Sequence, residues 1–145
     1  MRILKESDID KLTLADNQLF VEVFSDPELC RKLLERVLGI EVDHVEFVTA
    51  EKTLFPEPGA RFVRMDVYVR DADNTVYDIE MQTTDKRDFM LRSRYYLSAI
   101  DSDCIKAGEP YKRLRPCYVI FICTFDPFGR DLPRYTITPH CREDV

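Results

Sequence analysis

The sequence predicts a mixed α/β domain with helices flanking a central sheet, in the order α, β, β, β, α, β and then a short last β. Three stretches carry this prediction. Ala60 to Thr83 contains two runs in which apolar and polar residues alternate with the strand period of two. Asp85 to Lys106 places Phe89, Ser93, Tyr96, Leu97, Ile100 and Cys104 along one helical stripe. Cys117 to Phe125 is apolar on both faces, as expected of a central strand covered on two sides.

Taken in order, residues 1–15 are polar with scattered Ile and Leu and define no clear element. Asp16 is placed to cap a short helix carrying Leu19, Phe20, Val23 and Phe24. A second start follows at Ser25-Asp26-Pro27-Glu28, where Asp26 caps, Pro27 fits the first helical position and Glu28 suits the positive end of the helix dipole. Leu29, Cys30, Leu33, Leu34, Val37 and Leu38 form its apolar stripe, and Gly39 ends it. Val42 to Phe55 reads as a strand, and Pro56-Glu57-Pro58-Gly59 as a loop. After the long helix, which Gly108 ends, and the apolar strand, Asp126-Pro127-Phe128-Gly129-Arg130 turns the chain into a last short strand, Arg134 to Thr138.

The hairpin within Ala60 to Thr83 fixes its own register. Val63, Met65, Val67 and Val69 share one face; Tyr77, Ile79 and Met81 are their apolar counterparts on the second strand. All are odd-numbered, so paired residues must share parity, because a slip of one residue turns every side chain to the other face. A loop of Ala72-Asp73-Asn74 pairs Asp71 with Thr75 and sets Asp66 opposite Glu80, with Gln82 further along the same face. Opposed carboxylates, with Cβ atoms about 5 Å apart, repel. A divalent cation between them removes the conflict, and hard cations such as Mg²⁺ prefer carboxylate oxygens and retained waters. The ordinary alternative is a pair of solvated acids on an outer face. Gln82 could orient a water but cannot serve as a cation or base. Arg87, Arg92 and Arg94 sit near the start of the long helix, against its dipole. A phosphate ligand would account for them, as would simple solvation.

At 145 residues, with 45% hydrophobic and 33% charged residues, the chain suits one soluble domain. No apolar run reaches membrane-spanning length, and the acidic, polar N-terminus does not resemble a signal peptide. A cytoplasmic protein with no membrane association is expected. A net charge of −6 argues against coating nucleic acid by bulk electrostatics but permits local binding. The five cysteines include no C-x-x-C pair, so reduced thiols are expected rather than a zinc site.

Several blocks, in this order, resemble one family. They are Asp16-Asn17-Gln18-Leu19-Phe20, Asp26-Pro27-Glu28-Leu29-Cys30, Ala50-Glu51-Lys52-Thr53 and Arg64-Met65-Asp66-Val67-Tyr68. Further on come Tyr77-Asp78-Ile79-Glu80-Met81-Gln82, Arg92-Ser93-Arg94-Tyr95-Tyr96, Gly108-Glu109-Pro110-Tyr111 and Tyr118 to Phe128. From about Leu14 to Cys141 the chain is similar to the PD-(D/E)XK nuclease family transposases, which are related to the Rpn recombination-promoting nucleases of bacteria. The resemblance implies a restriction-endonuclease-like αβββαβ core. It also implies a single nuclease-like domain, residues 1–145, without the C-terminal extension usual in the family; an exposed edge there would invite a homodimer.

The resemblance further implies a metal-dependent DNA endonuclease associated with mobile elements, using Mg²⁺ or Mn²⁺ and no organic cofactor. Asp66 and Glu80 become the two motif acids and metal ligands. Gln82 stands at the position of the motif lysine, and Met65 at that of the motif proline. An acid on the first helix can add a ligand, with Asp16 ranked ahead of Glu22. Charge lost with the lysine must then come from the metal or from Lys52, Lys86 or Arg92. Arg92, Arg94 and Lys52 are the candidate DNA phosphate contacts. A second reading is a weak or inactive nuclease-fold module that binds nucleic acid or a protein partner.

Overall fold

The computed structural model describes residues 12–143, so the reading of residues 1–11 and of the last two residues lies outside the described part. Helix α1 (Asn17–Phe24) starts where the carboxylate of Asp16 accepts the Gln18 and Leu19 N–H groups at 3.0 and 3.1 Å. Helix α2 (Pro27–Leu38) is capped in the same way by Asp26, and Gly39 closes it at φ 69°, a left-handed conformation that glycine adopts without steric cost. Strands β1 (Val45–Leu54), β2 (Val63–Asp71) and β3 (Val76–Gln82) follow, then helix α3 (Phe89–Cys104), a 3₁₀ turn at Tyr111–Arg113 and strand β4 (Cys117–Cys123).

The strands form one sheet in the order β1-β2-β3-β4. β1 and β3 run antiparallel to β2, whereas β4 runs parallel to β3, with α3 as the crossover. One core gathers Phe20, Cys30 and Leu34 of α1 and α2 against Val67, Val69, Tyr77, Ile79 and Ile120. The other joins Ala99 and Ile100 of α3 to Leu54, Val63, Met65, Tyr68 and Val76. The sheet is therefore covered on both faces. Part of the hairpin face that the ordinary alternative makes outer is buried instead: Tyr68 packs under α3, and Asp66, Asp78, Glu80 and Gln82 are buried, while Arg64 and Arg70 stay exposed.

The β2–β3 register is the expected one. Tyr68 pairs with Asp78 and Val69 with Tyr77, and Asp71 N–H donates to the Thr75 carbonyl at 3.1 Å. Asp71 organises the turn: its carboxylate accepts the Asp73 and Thr75 N–H groups at 3.0 and 2.9 Å and the Tyr77 hydroxyl at 2.8 Å. Asn74 takes the left-handed conformation there, φ 64°.

Five expectations need correction. Val63, Met65, Val67 and Val69 do not share a core: the first two face α3 and the last two face α1 and α2. The change falls beside Glu51 of β1, which sits at φ 52° between the pairs Ala50–Val67 and Lys52–Met65. Strand β1 and helix α3 are each shorter than read. Asp85 turns back on the Arg87 N–H and Arg87 is left-handed at φ 55°, which holds the helix off until Phe89. β4 is covered on both faces but lies at an edge of the sheet among the described residues, so its apolar run reports its faces and not its neighbours. Arg134 to Thr138 forms no strand. The Tyr135 hydroxyl is bound to Asp126 at 2.8 Å, Arg134 reaches the Val37 carbonyl, and Pro133 and Pro139, without N–H groups, flank the segment.

Candidate active site

The ladder between β2 and β3 stops at Val67–Ile79, one step before Asp66 and Glu80 would pair. Side chains replace the backbone from there. The Asp66 N–H donates to Glu80 Oε1 at 2.9 Å, and the Met81 N–H donates to Asp66 Oδ2 at 3.1 Å. Each carboxylate thus grips the other strand with one oxygen, and the strands splay into a cavity of about 340 Å³. Asp66, Glu80 and Gln82 all line it, together with Asn17, Arg64, Lys86, Arg92 and Tyr96.

Arg92 is the central cation. It enters from the first turn of α3, donating to Gln82 Oε1 at 2.6 Å and to Glu80 Oε2 at 3.3 Å. Its guanidinium lies 5.2 and 5.5 Å from the rings of Phe121 and Tyr96. Gln82 completes the clamp by donating to the Thr84 carbonyl at 2.5 Å. Both ends of its amide are therefore engaged.

The electrostatics follow from burial. Glu80 is 4% exposed, and its carboxyl is pushed up to about 7, first by burial and then by the charge of Asp66, against the pull of the Asp66 N–H and Arg92. Burial also raises Asp66, against the Met81 N–H, the Asn17 side chain, Arg64 and Arg92. Asp78 lies two residues before Glu80 and is wholly buried, with neither carboxyl oxygen in hydrogen-bonding geometry. Burial and then the charge of Glu80 push its carboxyl well above the ordinary range. Its burial thus disfavours a third negative charge beside the site.

Other expected site residues lie elsewhere. Asp16 caps α1, and the cavity wall is made by its neighbours Ala15 and Asn17. Glu22 is exposed on α1, outside that wall. Lys52 is turned away to Asp103, at 3.2 Å, with its ammonium 3.8 Å from the centre of the Tyr68 ring. Arg94 lines a separate groove on the far flank of α3 with Leu97 and Asp101. Helical spacing explains this: two residues turn the direction by about 200°, so Arg92 and Arg94 cannot face one site. The spacing of Arg92 and Tyr96, one turn apart, was the available signal for the pair that does line it. Asn17 carried no such signal, since only the packing of α1 brings it to Asp66.

No group of three or more His, Cys, Asp or Glu side chains converges to hold a metal among the described residues. No helix among them is long and apolar enough to cross a membrane.

A mixed sheet flanked by helices, with two carboxylates where its central hairpin opens, is consistent with a PD-(D/E)XK nuclease fold. Residues 5–135 match the family model described as PD-(D/E)XK nuclease family transposase, and the chain belongs to that family. Comparison with curated proteins and with solved structures returns no match.

Proposed function

We propose that the protein is a Mg²⁺- or Mn²⁺-dependent endonuclease that hydrolyses DNA phosphodiester bonds in the cytoplasm. The observation that carries this reading is the interlocked pair Asp66 and Glu80, buried at the open end of β2 and β3 and turned to a polar cavity. The two carboxylates form a sparse, all-oxygen donor set, with the Asn17 side chain hydrogen-bonded to Asp66. That suits Mg²⁺, which commonly takes one or two carboxylates and fills its remaining positions with water and substrate phosphate. When bound, such a cation would lower the pKa of a water and offset charge on the scissile phosphate.

The chain's own groups would do the rest. The Met81 and Asp66 N–H groups fix the carboxylates. Arg92 supplies the positive charge that Gln82 does not, and Gln82 holds Arg92 in place. Lys86 and Arg64, on the cavity wall, would take the flanking phosphates. The non-cutting module is favoured by one observation, that both ends of the Gln82 amide are occupied and so unavailable to orient water.

Nicking of supercoiled plasmid separates the two. The wild type is expected to nick with Mg²⁺ and not with EDTA. Folded Asp66→Ala and Glu80→Ala variants should lose at least about a hundredfold in rate, since a catalytic cation supplies several kcal/mol. Metal-independent nicking, or nicking unchanged in both variants, would remove this reading, and a folded wild type that binds DNA without cutting it would leave the module.

A further inference from the structure

Phe55 and Phe62 are large apolar side chains left in water at the mouth of the β1–β2 hairpin, 73% and 57% exposed. They continue the register one step past the last pair, Leu54–Val63, so they face each other across the strands. Their ring centres are 6.0 Å apart and tilted by 42°. A cross-strand aromatic pair stiffens a hairpin, but both rings keep most of their surface in solvent.

The loop beyond them is held in shape. Pro56 and Pro58 restrict it, Gly59 turns at φ 82°, and the Ala60 N–H donates to the Glu57 carbonyl at 3.1 Å. The Tyr95 hydroxyl of α3 donates to the Arg61 carbonyl at 2.7 Å, tying the loop to the helix that delivers Arg92. Phe62 lies two residues from Arg64 on the cavity wall, about 7 Å along an extended chain. Phe62 is thus two residues along the chain from the cavity wall, with Phe55 across from it.

Charge identifies the occupant. Residues 55–64 and 85–95, which the Tyr95 bond joins, carry six basic and three acidic side chains, in a chain with 21 basic and 27 acidic. A locally cationic rim with exposed rings on a shaped loop fits a nucleic acid strand, whose backbone is anionic and whose bases present flat faces. Resting on the DNA reading above, we propose that Phe55 and Phe62 form a platform on which an unstacked nucleobase of the bound DNA strand stacks beside the cavity.

The test is binding of a short single-stranded oligonucleotide carrying one 2-aminopurine, with Ca²⁺ present. Anisotropy and 2-aminopurine fluorescence are read for wild type, Phe55→Ala, Phe62→Ala, Phe62→Leu and Phe62→Tyr. Affinity is expected to fall on the order of tenfold for each ring removed. Phe62→Tyr should keep wild-type affinity and quenching. Phe62→Leu, which keeps apolar bulk without a π-face, should not; this contrast stands even if an alanine variant fails to fold. Folded Ala or Leu variants that bind and quench as wild type would overturn the platform and leave the nuclease reading intact. A wild type that sediments as a dimer, with monomeric ring variants, would overturn it in favour of self-association. A folded wild type that neither binds nor cuts DNA would remove both readings.

Discussion

Asp66 and Glu80 each use one oxygen to hold the other's strand, through the bonds from the Asp66 and Met81 N–H groups. The hydrogen bonds that open the strands are the same ones that orient the acids. Arg92 and Gln82 form a second unit, in which an arginine from a helix supplies charge and an amide from a strand aims it. Replacing one without the other breaks a part-buried, charge-assisted contact. Asp16 divides two roles that the sequence could not separate. Asn caps a helix about as well as Asp, so Asp16→Asn keeps the α1 cap and removes the charge. The account predicts unchanged thermal stability and a divalent-cation affinity within about twofold of wild type. Cation affinity lost with the cap intact would make Asp16 a ligand.

At the scale of elements, Asp71 ties together the turn of the β2–β3 hairpin. Its buried carboxylate satisfies two backbone N–H groups and the Tyr77 hydroxyl. Asp71→Ala leaves those donors without a partner and is predicted to cost about 2–4 kcal/mol, measured by urea unfolding. A loss under about 0.5 kcal/mol would mean that water replaces the carboxylate freely. Much of this hairpin was legible in the sequence, because shared parity and an Asn/Asp loop leave one register. The change of face between Met65 and Val67 was not legible, since Glu51 adopts a left-handed φ that its residue type does not announce. Helix α3 was legible in its body and not at its start, where the conformation of Arg87 delays it. That Asp66 stands opposite Glu80 could be read from spacing, while Asn17 and Asp78 come near them only through packing and burial.

In the whole molecule, the site sets how stability responds to pH. Glu80 is raised from 4.5 to about 7, and Asp66 and Asp78 are also raised. An acid raised in the folded state keeps its proton after the unfolded chain has lost it. The native state therefore binds more protons from about pH 4 to about pH 7, and stability falls as pH rises through that window. Glu28 and Asp126, both lowered to about 2, act with opposite sign but only below about pH 4.5, so they do not oppose this trend. Without divalent cations, Tm is predicted to fall on the order of 5 °C between pH 5 and pH 8. Mn²⁺ should reverse most of that fall at pH 8 and do little at pH 5. A Tm that rises over this range without metal would contradict the buried-carboxylate account.

The most direct measurement of the central claim is a calorimetric titration of Mn²⁺ into the protein at pH 8. Wild type, Asp66→Asn and Glu80→Gln would be compared, each shown to be folded. The account predicts saturable binding by the wild type that weakens at least about tenfold in each variant, since each removes a charged oxygen donor from a sparse set. Equal binding by all three, or none by the folded wild type, would contradict the assignment of Asp66 and Glu80 as a cation site.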